Sequence, residues 1–344
     1  MNGDGYRVGV LGATGLVGST ILDVLLERGF PVAELVPFAS ERSVGKRIEW
    51  GGSTLECRAL SEESIQGLDV VLSSAGGSVS AEWAPRFVEA GAVVVDNTSH
   101  FRMREDVPLV VAEVNPDAVE AHGGIVANPN CSTMQMVVAL KPLHDEAGIE
   151  RLVISTYQAV SGTGKGAIDE LLGQAKATLA DKDPVAAIYP HQIAFNALPQ
   201  AGGFPDGDDH TDEERKLINE TRKILGDEQI RVSATCVRVP VVTGHSEAVN
   251  VETREPLSPE RARELLEAAP GVTVVDDPAA ARYPMAIEAA GRDDVFVGRI
   301  RRDPGNESAL DLWVVSDNLR KGAATNAVQV AELLVERGLL GNRG

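Results

Sequence analysis

Several chemistries are missing from this chain of 344 residues. Its three cysteines, Cys57, Cys131 and Cys236, form no CxxC pair and leave an odd count. That usage fits a reducing cytoplasm and not a disulfide framework. None of the six histidines has metal-ligand spacing beside a cysteine, so no metal site is expected. Apolar runs stay as short as Gly91-Ala92-Val93-Val94-Val95, whereas a bilayer span takes about 18 residues. Met1 to Arg7 lack a basic start followed by an apolar stretch, so no secretion signal is expected. No G-x-S-x-G elbow occurs. Gly162-Thr163-Gly164-Lys165-Gly166 departs from the G-x-x-x-x-G-K-[ST] phosphate loop at both ends. Positive charge is also scarce: 32 Lys and Arg against 51 Asp and Glu leave a net charge of −19. A field of that sign repels nucleic acid and anionic lipid, so neither is an expected partner. An anionic ligand must be caught by a few local cations or helix N-termini.

What is present is ample core material, 43% of the residues being apolar. Up to about residue 130, short apolar strands alternate with helices. Strands are expected at Tyr6–Leu11, Ala33–Phe38, Asp69–Leu72, Val93–Asp96, Val107–Ala112 and Gly124–Ala127, with helices at Leu16–Arg28 and Ala81–Ala90. Fully apolar strands between helices predict a parallel sheet covered on both faces, an α/β domain. Beyond residue 131 the strands Leu152–Thr156, Arg231–Val242, Glu247–Thr253, Val295–Arg301 and Leu310–Ser316 alternate apolar with polar. They predict a largely antiparallel, half-exposed sheet in an α+β domain. A helix opens at Thr211, which can cap it, with Asp212, Glu213 and Glu214 at its positive end. A last amphipathic helix covers Ala323–Gly338.

Two local motifs carry chemistry. Gly12-Ala13-Thr14-Gly15-Leu16-Val17-Gly18 follows the first strand and opens the first helix. Small residues there permit a sharp turn, let backbone approach a pyrophosphate and let the helix pack on the strand. After the second strand, Ser40-Glu41-Arg42-Ser43 sets Arg42 between two hydroxyls. That arrangement suits the 2′-phosphate of NADP better than the bare ribose of NAD, Glu41 dissenting. Further on, Cys131 stands in the polar loop Asn128-Pro129-Asn130-Cys131-Ser132-Thr133, ahead of a helix expected at Met134–Leu140. A helix N-terminus favours the thiolate, the reactive form. Cys131 reads as a nucleophile or as a small buried residue, which is what most free cysteines are. A base is needed beside it. His245, after Gly244 at the end of the strand that carries Arg238, is placed to face a cleft.

In their order along the chain these motifs resemble the bacterial aspartate-semialdehyde dehydrogenases. The resemblance adds Asn97-Thr98-Ser99-His100-Phe101-Arg102-Met103, Gln158-Ala159-Val160-Ser161-Gly162-Thr163-Gly164, Ile193-Ala194-Phe195-Asn196 with Pro199-Gln200, Glu213-Glu214-Arg215-Lys216 and Arg238-Val239-Pro240, and covers nearly the whole chain. It implies a Rossmann-like NADP-binding domain over residues 1–130 and a catalytic and dimerisation domain over 131–317. A C-terminal helix within 318–344 would return to the first domain. It implies a cytoplasmic homodimer of amino-acid biosynthesis that reduces L-aspartyl 4-phosphate to the semialdehyde and releases phosphate. In that scheme Cys131 forms a thioester, His245 is the acid/base and Gln158 orients the acyl group. Arg238 holds the α-carboxylate and Glu213 the α-ammonium, while Arg102, Asn130 and Lys216 hold phosphate. Gly12, Thr14, Gly15, Leu16, Val17, Gly18, Ser40, Arg42, Ser43, Ser161, Gly162 and Asn318 contact NADP. From the residues alone, Glu213 and Lys216 read equally as a surface ion pair. An N-acetyl-γ-glutamyl-phosphate reductase and a non-catalytic NADP-binding paralogue are the alternatives.

Overall fold

The computed structural model describes residues 5–340, which divide into two compact units. One holds the chain up to Asn130 together with the segment from Ala323 onward, and the other runs from Cys131 to Gly322.

The first unit comprises β1 (Tyr6–Leu11), α1 (Leu16–Glu27), β2 (Val32–Phe38), a small hairpin of β3 (Arg47–Trp50) and β4 (Ser53–Glu56), β5 (Val70–Ser73), α2 (Gly77–Glu89), β6 (Val93–Asp96) and β7 (Ile125–Ala127). Its main sheet is parallel throughout, in the order β2-β1-β5-β6-β7. Strands β5 and β6 are buried at every position, as apolar runs covered on both faces require. The chain places β2 on one side of β1 and β5 on the other, so the loop leaving β1 sits where the strand order reverses. The strand expected at Val107–Ala112 is not formed. Leu109 makes an isolated bridge to Ala127. Pro108 offers no N–H, and the Asn115 side chain takes the Val111 N–H and the Leu109 carbonyl for itself.

The second unit comprises α3 (Cys131–Ala147), β8 (Ile149–Gln158), α4 (Lys165–Leu179), α5 (Asp212–Leu225), β9 (Arg231–Arg238), β10 (His245–Thr253), α6 (Pro259–Ala268), β11 (Val272–Val274), α7 (Ala286–Ala289), β12 (Val295–Asp303) and β13 (Asn306–Ser316). The six strands run β11-β12-β13-β10-β8-β9. The three central pairs are antiparallel and both edge pairs are parallel. The stretch 231–242 breaks after Arg238, where Pro240 cannot continue a ladder. His245 therefore opens a strand of its own instead of closing the one that carries Arg238. Helix α5 starts as its first turn predicts. The Thr211 hydroxyl accepts from the Glu214 N–H, and the Glu214 carboxylate accepts from the Thr211 N–H. After one turn of π-helix at Arg320–Thr325, α8 (Asn326–Glu336) sends Val328, Val330, Ala331 and Leu334 into the core formed by Val8, Val10 and Ile21 of the first unit. The chain passes back to that unit after Gly322, five residues later than expected. Residues 318–322 stay with the second unit because the Asn318 side chain bonds Ser161 and the Gly244 N–H.

One core residue breaks the apolar pattern. Glu247 on β10 is fully buried, and neither of its carboxyl oxygens has a hydrogen-bond partner. Burial pushes its pKa well above the usual glutamate value. A carboxylate there would lie in low dielectric without a counter-ion. Because the folded-state pKa is the higher one, Glu247 costs nothing below the unfolded value. Stability then falls as pH rises, by up to about 1.4 kcal/mol per pH unit for one proton. Glu247→Gln is expected to flatten that decline between about pH 5 and pH 8. Urea melts at both pH values check this; identical slopes for variant and parent would refute it.

Candidate active site

In the second unit the strand register assembles the site. β8 and β9 run parallel with Gln158 beside Arg238, so both side chains leave the sheet at the same end. β10 runs the other way, with Ser246 opposite Tyr157, so His245 arrives at that end too. α3 packs on the same face and begins at Cys131. The Gln158 amide donates to the Ser132 hydroxyl at 2.7 Å, next to the cysteine, and to Glu213 at 3.2 Å. Glu213 in turn accepts from Lys216 at 2.6 Å. One turn along α3, the Gln135 amide donates to the His245 carbonyl oxygen at 3.3 Å.

The turn after β8 completes the cluster through its backbone. The Ala159 N–H donates to His245 Nδ1 at 3.0 Å, and the Ala159 carbonyl accepts from the Arg238 guanidinium at 2.7 Å. Gly162 closes over both side chains: a Cβ there would sit 3.2 Å from Arg238 Nη1 and 3.3 Å from His245 Nε2. Ser161 and Asn318 pair with each other behind this turn. Gln158 Oε1, Arg238 Nε and His245 Nε2 are buried without any hydrogen-bond partner. Buried polar atoms left unmatched at one strand end are the signature of a polar ligand site. Burial, followed by the neighbouring Arg238 charge, lowers the His245 pKa to about 3, so the imidazole is neutral at pH 7.

The first unit presents its own set along the carboxyl ends of the parallel strands. Gly12 takes φ +82°, a conformation open mainly to glycine, and a Cβ on Gly18 would collide with the Gly12 carbonyl. Gly15 caps α1 without any side-chain bond, so the N-terminal amides of α1 compete with no side chain for a phosphate. The Gly12 and Ala13 N–H groups both bond the Phe38 carbonyl, tying the loop to the end of β2. Ser40, Arg42 and Ser43 follow that end, with Arg42 exposed. Arg102 is buried, its guanidinium donating to the carbonyls of Asn128 (2.9 Å) and Asn97 (2.7 Å). Asn130, also buried, follows β7.

The structure thus gathers Cys131, Gln158, Ser161, Gly162, Glu213, Lys216, Arg238, His245 and Asn318 within the second unit. It leaves Cys57 and Cys236 as buried apolar residues, the Cys236 thiol pushed far up by burial. Sequence reasoning missed the Ala159 amide, Ser132 and Gln135. It also missed Gly322, whose backbone lies against the cysteine: a Cβ at Gly322 would stand 2.8 Å from the Cys131 Cβ. The Ala159 amide has no side-chain signature, and Ser132 and Gln135 act through side chains whose partners lie far off in the sequence. Gly322→Ala is expected to displace Cys131 and lower kcat at least ~10-fold, since an ångström of misplacement costs about 10²-fold. Unchanged kcat in a folded variant would refute the contact's importance.

Comparison with known proteins agrees with this layout. Residues 7–122 match the model of the semialdehyde dehydrogenase NAD-binding domain, and residues 140–321 match that of the semialdehyde dehydrogenase dimerisation domain. The aspartate-semialdehyde dehydrogenase of Aquifex aeolicus is 59% identical over 340 residues, 98% of this chain and 100% of the relative. Aspartate semialdehyde dehydrogenase II from Vibrio cholerae, solved in complex with ASA, superposes with a TM-score of 0.94 at 50% identity, covering 97% of this chain and 99% of that one. The Candida albicans aspartate semialdehyde dehydrogenase solved with NADP gives a TM-score of 0.72 at 28% identity, covering 98% of this chain and 100% of that one. Glycine loop, cysteine-headed helix and strand-end cluster together with these similarities place the chain in the aspartate-semialdehyde dehydrogenase family.

Proposed function

We propose that this chain reduces L-aspartyl 4-phosphate to L-aspartate 4-semialdehyde with NADPH, releasing phosphate. The observation that carries the reading is the trio of unmatched buried atoms, on Gln158, Arg238 and His245, gathered at the strand end beside the cysteine-headed α3. The thiolate of Cys131, favoured by the N-terminus of α3, attacks the 4-carbonyl carbon. The C–S bond forms, the bond to the phosphate oxygen breaks, and a thioester remains on Cys131. Gln158, held between Ser132 and Glu213, orients the acyl group, and His245 is the acid/base for the proton at its carbonyl oxygen. Arg238 offers a planar guanidinium to the α-carboxylate. Glu213 offers a carboxylate to the α-ammonium; an acetylated nitrogen would carry no charge for it to pair with, which favours the free amino acid. Arg102, Asn130 and Lys216 hold the phosphate.

The glycine loop fits a dinucleotide: Gly12 has the required backbone angle, Gly18 leaves no room for a side chain, and α1 opens without a side-chain cap. Thr14 to Val17 would hold its pyrophosphate, and Ser40, Arg42 and Ser43 the 2′-phosphate that separates NADP from NAD. Ser161, Gly162 and Asn318 would complete its site. When bound, NADPH supplies the hydride that converts the thioester into the aldehyde.

NADP⁺ reduction is expected only when aspartate semialdehyde and phosphate are both present, with NAD⁺ a much poorer substitute. Cys131→Ser should lower kcat by about 10³-fold or more. Turnover that survives this substitution would remove the thioester from the scheme.

The reading includes a homodimer in the cytoplasm. The outer face of the second unit's sheet carries a groove of about 430 Å³ lined by Ala248, Tyr283, Met285 and Trp313. Tyr157, Tyr283, Met285 and Ile287 are exposed apolar residues of that unit, and a second copy would cover them. Light scattering should give about twice the 36.4 kDa chain mass; a 36.4 kDa species at micromolar concentration would overturn the dimer.

A further inference from the structure

We propose that Asn128 and Asn326 are positioning residues for phosphate: a one-way chain of side-chain amides, from Asn326 through Asn128 to Asn97, sets the two carbonyls on which the Arg102 guanidinium rests. This builds on the reading of Arg102 as a phosphate ligand.

The chain begins at the edge of the parallel sheet. β7 is the edge strand, and the segment beside it leaves the Val110 carbonyl and the Ala112 N–H to a side chain. Asn326, the first residue of α8, meets both. Its Oδ1 accepts from the Ala112 N–H at 3.0 Å, and its Nδ2 donates to the Val110 carbonyl at 2.8 Å. These backbone partners fix which end of the amide is oxygen and which is nitrogen. The second hydrogen on Nδ2 therefore goes to Asn128 Oδ1, 2.6 Å away. With its oxygen accepting, Asn128 turns its NH₂ the other way, donating to Asn97 Oδ1 at 2.7 Å and to the Ala323 carbonyl at 3.2 Å. Asn97 in turn donates to the Ser73 carbonyl at 2.9 Å. Every hydrogen of the first two amides is used, and both residues are fully buried. A buried network in which each member is matched holds one arrangement.

That arrangement bears directly on the arginine. The parallel register that pairs Asp96 with Ala127 sets Asn97 beside Asn128, one residue past the ends of β6 and β7. Their side chains are joined by the bond just described, and their backbone carbonyls are acceptors of Arg102. Nε donates to Asn128 at 2.9 Å and Nη2 to Asn97 at 2.7 Å. Two donors on one rigid plane fix both the place and the tilt of a guanidinium. The separation of the two carbonyls is what the amide chain controls. Asn130 is divided from Asn128 only by Pro129, whose ring fixes φ, so the same anchor carries over to the second phosphate residue.

Steady-state NADP⁺ reduction with aspartate semialdehyde, at varied inorganic phosphate, reads the effect. Arg102→Ala is expected to raise the phosphate KM at least ~10-fold. Asn326→Ser, which takes the amide away from Asn128, should raise it about 10-fold by misplacing the arginine, with the KM values for aspartate semialdehyde and NADP⁺ unchanged. In the Arg102→Ala background the same substitution should add nothing to the phosphate KM, while its loss of Tm stays the same in both. If Asn326→Ser does not fold, Asn326→Asp, which keeps the volume and the acceptor for Ala112 but not the NH₂ donors, is read in the same way. An unchanged phosphate KM in a folded Asn326 variant would overturn the proposal. So would an equal increase with and without Arg102, since either leaves the amides a purely structural role. If Arg102→Ala itself leaves the phosphate KM unmoved, the reading of that arginine as a phosphate ligand fails, and the positioning role fails with it.

Discussion

The register of three neighbouring strands in the second unit determines where the chemistry lies. β8 and β9 are parallel and end together at Gln158 and Arg238; β10 starts antiparallel at His245. Each of these side chains is buried, and each is the last or first inward residue of its strand. A slip by one residue would turn all of them to the opposite face. The apolar positions beneath them, Ile154, Leu152, Val249 and Val251, oppose that slip, because it would expose the core. Packing far below the site therefore holds polar strand-end side chains that have little apolar surface of their own.

How much of this could be read from the sequence follows from how local each determinant is. The glycine loop and the Thr211 cap depend on residues within seven positions of each other, and both appear as expected. Fully buried β5 and β6 announce themselves by unbroken apolar runs. The segment 107–112 carries the same apolar signal, yet Pro108 and the Asn115 side chain redirect its backbone. The 231–242 stretch departs from its pattern for a related reason. Its β-branched residues run past Arg238, and only Pro240 marks where one strand stops and leaves His245 to open the next. The Ala159 amide was invisible because a backbone donor is the same in every residue; only the fold reveals what it meets.

Glu213 and Lys216 show how context reverses a local reading. Three residues apart on a helix, such a pair contributes about 0.3–0.5 kcal/mol when solvated. Here the side chains are only 12% and 24% exposed, and Gln158, from a strand, shares the same carboxylate. The pair is thus tied to the strand-end cluster and not to the water around the helix. Its geometry follows from the Thr211 cap, which fixes where α5 begins and so which way residues 213 and 216 project.

The strong negative charge of the molecule bears on the same point. A chain of net charge −19 offers an anionic substrate no general attraction. Affinity then depends on cations placed where the dielectric is low and the outer acidic groups are screened by about a Debye length of salt. Among the described residues Arg102 and Arg238 are the buried arginines, one in each unit, and both donate to backbone carbonyls. A carbonyl fixes a guanidinium without neutralising it. The exposed arginines, such as Arg215 and Arg261, instead pair with neighbouring carboxylates. Burial, followed by the Arg238 charge, keeps the adjacent imidazole neutral at pH 7.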